Sequence, residues 1–242
     1  MNMSRIAVAA GLATALALPA QAGAQRRYDF TADAVGKEPS QFVPMVGNWV
    51  VTQDEGRRVL LVDGRIWRKG QPSGGLADKA RAIYGAEHEE FLDNVKQFAY
   101  FPIAVHKDIP AFENGELSVK FKMIGGTLDR CAGLLFNVKP NGDYLTVRFN
   151  GTEDNVVLWK FVNGVRSQVR RGTKAVPLEL GTWNELRVVT KGANVKAYLN
   201  GELMIDENWT SAISGKVGLW SDRKSTRLNS SHVSESRMPS SA

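Results

Sequence analysis

Asn141-Gly142-Asp143-Tyr144-Leu145-Thr146-Val147-Arg148-Phe149-Asn150-Gly151 sets one alternating run between two Asn-Gly steps. Tyr144, Thr146, Arg148 and Asn150 alternate with Leu145, Val147 and Phe149, which is the period of a half-buried strand. A two-residue Asn-Gly turn lets both residues take positive φ, and this suits the right-handed twist of two antiparallel strands. The dipeptide recurs at 114–115, 163–164 and 200–201, and every copy but one lies between alternating runs. From about Asn114 onward the chain therefore reads as stacked hairpins.

Outward from this stretch, strand-like segments fall at 48–53, 58–63, 98–105, 115–124, 130–139, 144–150, 155–162, 165–170, 184–191, 194–204 and 215–221. Many short strands separated by turn signals predict an all-β jelly-roll sandwich of two antiparallel sheets. Residues 65–97 break the rhythm. Their first part, 67–75, is a loop by its Gly and Pro content. Leu76, Ala80, Ile83, Tyr84, Phe91 and Val95 then recur at helical spacing, with Gly85 placed to kink or split the helix. A helical insertion over 76–97 has two places to dock its apolar stripe. Beside an open sheet face it would wall a pocket; at one end of the core it would be a cap.

The two ends read differently from the middle. Arg5, the 13-residue apolar run from Ile6 to Leu18, and the small-x-small steps Ala20-Gln21-Ala22 and Ala22-Gly23-Ala24 compose a secretory signal peptide over 1–24. The run is shorter than the roughly 20 residues that span a bilayer, so the expected product is periplasmic or extracellular, with a retained N-terminal anchor as the alternative. At the other end, residues 222–232 resemble a sequencing-library adapter translated in frame, and hydrophobic alternation stops at Trp220-Ser221. The expected domain is thus 25–221, with 222–242 a non-native tail and at least one closing strand missing. Setting aside these ends lowers Lys plus Arg from 31 to 26 and Asp plus Glu from 25 to 23, a net of +3 rather than +6. Nucleic-acid binding loses its main support at that charge. Cys131 is the single cysteine, so no internal disulfide is available, and its apolar surroundings mark it as a small buried hydrophobe.

The final third carries a recognisable series: Gly181-Thr182-Trp183-Asn184-Glu185-Leu186-Arg187-Val188-Val189, Ala197-Tyr198-Leu199-Asn200-Gly201, and Ser214-Gly215-Lys216-Val217-Gly218-Leu219-Trp220-Ser221. It resembles the concanavalin A-like lectin/glucanase superfamily, especially the laminin-G-like and 3-keto-disaccharide-hydrolase-like domains of bacterial secreted proteins. Asn141-Gly142-Asp143-Tyr144 and Val162-Asn163-Gly164 fit that group's central hairpins, and the likeness covers about 115–221 well and 28–64 loosely. The resemblance implies structural roles for Trp49, Trp183 and Trp220. Its motifs are turn glycines and core aromatics, which specify fold rather than chemistry.

Glucanases of this fold align carboxylates on one strand as Glu-x-Asp-x-x-Glu, and no strand here has that spacing. No catalytic residue is therefore assigned. Glu87, Glu89, Glu90 and Asp93 cluster on the predicted helix and read as a solvated face. Neither His88 nor His106 has a ligand-spaced partner, so no metal site is assigned. Asp63, Asp129, Asp143 and Asp154 supply oxygens of the kind calcium takes, but turn formation accounts for them better. Carbohydrate is the expected partner. Sugar sites combine aromatic rings with amide and guanidinium groups, and Tyr144, Arg148 and Asn150 share one strand face. Trp67 in the Gly/Pro-rich loop and Trp159 are placed to stack on a sugar ring, with core packing the alternative for Trp159. The expected role is noncatalytic glycan binding; the alternatives are a 3-keto-glycoside-type hydrolase and a laminin-G-like protein-interaction module.

Overall fold

The computed structural model describes residues 25–64, 70–125, 130–222 and 227–236. Residues 1–24, where a signal peptide is expected, and Trp67 and Asp129 lie outside the described residues. Two antiparallel sheets pack face to face. One comprises β1 (Gln25–Tyr28), β3 (Trp49–Asp54), β4 (Arg57–Val62), β6 (Gly115–Gly125), β11 (Trp183–Lys191), β12 (Asn194–Leu199), β13 (Glu202–Asn208) and β15 (Arg227–Ser236). Its order is β13-β12-β11-β6-β15-β4-β3, with β1 on β15. The other comprises β2 (Phe42–Val46), β5 (Ile103–His106), β7 (Cys131–Val138), β8 (Tyr144–Asn150), β9 (Asn155–Val162), β10 (Val165–Arg171) and β14 (Lys216–Trp220). Its order is β10-β9-β8-β7-β14-β5-β2.

Between the sheets lies one apolar layer. Leu117, Val119, Phe121, Met123, Leu186 and Val188 meet Leu134, Phe136, Leu145, Val147, Phe149 and Leu158 across it. The alternation of β6 and β8 is what delivers these side chains to one face. Gly218 is demanded by the strand spacing: a Cβ there would lie 2.1 Å from the carbonyl oxygen of Ala104.

The insertion forms α1 (Leu76–Tyr84), a 3₁₀ turn at Gly85–Glu87, α2 (His88–Asp93) and α3 (Val95–Phe98). Gly85 takes φ +58° and splits the helix where expected. The stripe docks over the outer face of the seven-stranded sheet, not at an end of the inter-sheet core. Ala80, Ile83, Tyr84, Phe91 and Phe98 join Met45, Val46, Ile103, Val105, Leu135, Tyr144 and Phe161 in a second apolar cluster.

Four element boundaries differ from the sequence reading. The segment 98–105 is a strand only from Ile103, because Phe98, Ala99 and Phe101 go into the second cluster. The run 194–204 breaks at Asn200-Gly201 into β12 and β13. Short strands β1 and β2 carry too few alternating residues to announce themselves. Residues 227–236 occupy the slot between β6 and β4, although they lack hydrophobic alternation. Main-chain hydrogen bonds do not depend on side-chain type, so an open slot between two edges accepts such a segment. Among the described residues no helix is long and apolar enough to cross a membrane.

Candidate functional site

Ladder register assembles the site. Thr146 lies opposite Leu135 and Trp159, Arg148 opposite Gly133 and Val157, and Asn150 opposite Cys131 and Asn155. Leu145, Val147 and Phe149 face the inter-sheet core, so Tyr144, Thr146, Arg148 and Asn150 share the outer face, as their period requires. All four are nonetheless buried, Arg148 at 3% exposure. The face is not an open groove along its length, because the helical insertion and neighbouring aromatic rings cover it.

Each sequence-predicted residue has a distinct environment. Tyr144 stacks on Phe161 with ring centres 5.2 Å apart and planes 4° from parallel. Burial pushes its phenol well above the ordinary value. Asn150 accepts a hydrogen bond from the Thr152 N–H at 2.9 Å and so closes the β8–β9 turn. Arg148 donates from Nη1 to Asn155 Oδ1 at 2.7 Å and from Nη2 to Glu153 Oε2 at 3.0 Å. Asn155 Nδ2 also donates to Glu153 Oε2 at 3.0 Å. These bonds, Asn155 first and Arg148 after it, hold the Glu153 carboxyl below the usual carboxylate range against partial burial. Trp159 is half-buried on this face, beside Arg148.

Arg166 was not singled out from the sequence, yet it completes the site. Its guanidinium carbon lies 3.8 Å from the centre of the Trp159 ring and 4.9 Å from that of Phe101. Arg148 approaches the same indole at 5.9 Å. Phe101 in turn lies 5.0 Å from Trp220. Trp220 fits over the sheet because position 133 is glycine; a Cβ there would sit 3.1 Å from the indole and 3.2 Å from Thr146 Oγ1. Burial holds Arg166 below the ordinary guanidinium value, with Asp222 opposing this effect and Arg148 adding to it. The register Arg166↔Phe161 follows from the Asn163-Gly164 turn, whose residues take φ +50° and +74°. That two-residue turn was the signal available in the sequence.

Three buried donors on this face have no hydrogen-bond partner among the described residues, Nε of Arg148, Nε of Arg166 and the Trp159 indole N–H, while the Trp220 indole faces the Tyr144 hydroxyl. Native interiors rarely leave such groups unpaired. These atoms are shut from solvent, so what the face offers a ligand is the half-exposed remainder of Arg166 and Trp159.

Other candidate residues are engaged elsewhere. Glu87, Glu89, Glu90 and Asp93 are exposed, as the helical reading expects. Cys131 is fully buried and in no disulfide. Asp143 accepts from the Asn163 N–H at 2.8 Å and from Asn141 Nδ2 at 3.1 Å, and Asp154 takes a turn conformation at φ +53°. Among the described residues no three His, Cys, Asp or Glu side chains gather as a metal set. A depression of about 710 Å³ lies at a distant sheet end between Arg27, Asp29, Gln53, Arg57 and Arg58. Asp29 there serves Thr31, and Arg58 donates to the carbonyls of Thr31 and Asp33. That basin has no aromatic platform.

No family model matches the chain, and no curated protein matches it by sequence. Solved structures do match. A Bacillus subtilis protein of unknown function with a galectin-like fold superposes with a TM-score of 0.56 and 10% identity, over 90% of this chain and 97% of that one. The carbohydrate-binding module CBM66 from Bacillus subtilis gives 0.54 and 15%, over 79% and 97%. A candidate glycosyl hydrolase from Parabacteroides distasonis gives 0.50 and 12%, over 84% and 91%. At these identities the likeness concerns fold alone. With its two face-to-face antiparallel sheets, the chain has the jelly-roll sandwich fold of these structures.

Proposed function

We propose that this chain is an exported glycan-binding domain whose sugar site is the arginine–indole edge on the outer face of the seven-stranded sheet. The observation that carries the reading is the 3.8 Å stack of Arg166 on Trp159. Stacking covers a flat face of each group, and Arg166 Nε and the Trp159 N–H are buried, so what is left for a ligand is the half-exposed end of the guanidinium beside the indole rim. Such an edge donates paired hydrogen bonds to adjacent sugar oxygens, while the flanking aromatic rings exclude water. The carbohydrate-binding module among the structural neighbours supports the same ligand class.

Binding is preferred to hydrolysis on the state of Glu153. A glycosidase needs one carboxyl kept protonated as general acid. Glu153, the carboxylate beside Arg148, is instead held ionised by Asn155 and Arg148. The test is a glycan array and calorimetry with the mature protein and Trp159→Ala. The expected outcome is binding by the parent and a loss of about tenfold or more in the variant, with the sheet spectrum unchanged in circular dichroism. Release of new reducing ends from a bound glycan would replace this reading with a hydrolase. No glycan bound, together with capture of a protein partner, would favour an interaction module.

A further inference from the structure

We infer that the slot between β4 and β6 is a strand-receiving groove whose fitting occupant is an extended segment of a partner chain with apolar residues at alternate positions. The groove lies in the sheet opposite the sugar edge, so neither reading depends on the other. The register of β15 defines what the slot requires. Leu228 stands between Val62 and Met123, Ser230 between Leu60 and Phe121, Val233 beside Val119 and Glu235 beside Leu117. All six wall residues belong to the inter-sheet core and are at most 2% exposed. Directly opposed residues of a ladder share one sheet face, so these four rows belong to the apolar layer. Leu228 and Val233 suit it in residue type; Ser230 and Glu235 do not. Main-chain pairing holds 227–236 in place, but half of its core rows supply no apolar residue, and a segment so placed opens readily.

A cavity lies where that deficit falls. It is apolar, about 10 Å³ in volume, and lined by Trp49, Val62, Val119 and Phe121 of this sheet with Leu219 and Trp220 of the other. Val62, Phe121 and Val119 are the register partners of positions 228, 230 and 233. A hollow of this size takes roughly one methyl group more than the packed atoms supply. The walls keep their spacing by other means. Lys122, almost fully buried, reaches from β6 to Asp54 and, at 3.1 Å, to Glu55 in the β3–β4 turn. This ion pair ties the two walls together without calling on any side chain of the strand between them. A groove of fixed width, open to main-chain pairing and selective in its apolar rows, meets the terms of strand addition: backbone bonds give affinity and alternate side chains give specificity.

The experiment adds fluorescent ten-residue peptides to the full chain and follows capture by anisotropy. One peptide has the sequence of 227–236 with Ser230→Val and Glu235→Val, which puts an apolar residue in all four core rows. Its control carries Asn229→Val and Ser234→Val instead, the same composition change out of phase. The proposal predicts saturable capture of the first peptide, at least about tenfold tighter than of the control. Amide exchange in β4 and β6 should slow when the first peptide is bound. The full chain carrying Ser230→Val and Glu235→Val fills its own slot, so it should capture the peptide at least about tenfold more weakly than the parent and unfold at higher urea. Equal capture of the two peptides overturns the apolar-row requirement. No capture by the parent chain overturns the docking assignment and leaves 227–236 as the slot's own strand. A substituted chain no more stable than one carrying Asn229→Val and Ser234→Val overturns the reading of the cavity.

Discussion

His106 sits between two aromatic rings, Tyr28 at 4.3 Å and Phe42 at 4.9 Å, fully shut from water. Its Nδ1 accepts the Asp108 N–H at 3.2 Å, which puts the proton of the neutral ring on Nε2, an atom with no hydrogen-bond partner. Burial pushes its pKa down to about 4, with Asp108 partly opposing. Above pH 6.5 both folded and unfolded states hold a neutral ring. Between 6.5 and about 4 the unfolded chain binds a proton that the fold refuses, so stability falls as pH drops, by up to about 1.4 kcal/mol per unit. Urea titrations from pH 7 to 4.5 should show a shallower acid loss in His106→Phe than in the parent; parallel curves would refute a neutral buried base. Gly218 makes a second single-residue prediction. Gly218→Ala sets a Cβ against the Ala104 carbonyl at 2.1 Å and should cost roughly 3 kcal/mol or more in unfolding free energy. An unchanged urea midpoint would show that the strands can separate there. At this scale the sequence is uneven. The facing of Arg148 and Asn150 followed from alternation, while their burial did not, because burial depends on what another segment lays over the sheet.

Among the elements, the Asn-Gly turns show how local chemistry becomes register. At 163–164 and 200–201 both residues take positive φ, and each turn closes a two-residue hairpin. The other three copies act through side chains or through glycine alone: Asn141 Oδ1 accepts the Asp143 N–H at 3.0 Å, and Asn114 Oδ1 accepts the Gly192 N–H at 2.7 Å. The dipeptide marks the end or start of a strand in every case, but whether it forms a two-residue turn is set by the strands beside it. The helical insertion was legible as an amphipathic stripe split at Gly85. Its docking face was not, since either sheet end or outer face satisfies the same apolar period. Phe91 is the anchor: it is fully buried, 4.7 Å from Tyr84 and 4.1 Å from Phe98. Phe91→Ala should destabilise by about 3–5 kcal/mol and loosen the cover over Tyr144. Hydrogen exchange would then rise in 76–98 and along the outer face of β8. Loss confined to 88–93 would mean that the helices pack independently of the sheet.

For the whole molecule, the eight-stranded sheet is continuous only through β15, which lies between β6 and β4 and also carries β1. A chain ended at Asp222 leaves the edges of β6 and β4 open across the slot. The expected result is a lower melting temperature and self-association in size-exclusion chromatography; an equally stable monomer would show that 227–236 adds nothing to the sheet. The two-layer architecture itself was readable because β6, β8 and β11 keep strict alternation over long runs. Arg166 shows why the site was less readable: its role depends on Trp159 and Phe101, which come from two other segments. The central claim is that a ligand engages the Arg166–Trp159 edge. The most direct measurement is the set of indole N–H signals in a ¹H–¹⁵N spectrum of the mature protein during titration with an array-identified glycan. The account predicts that the Trp159 signal shifts saturably while Trp183, which packs under Lys122 on the opposite sheet at 5.1 Å, stays in place. A shift at Trp183 with Trp159 unmoved would contradict it.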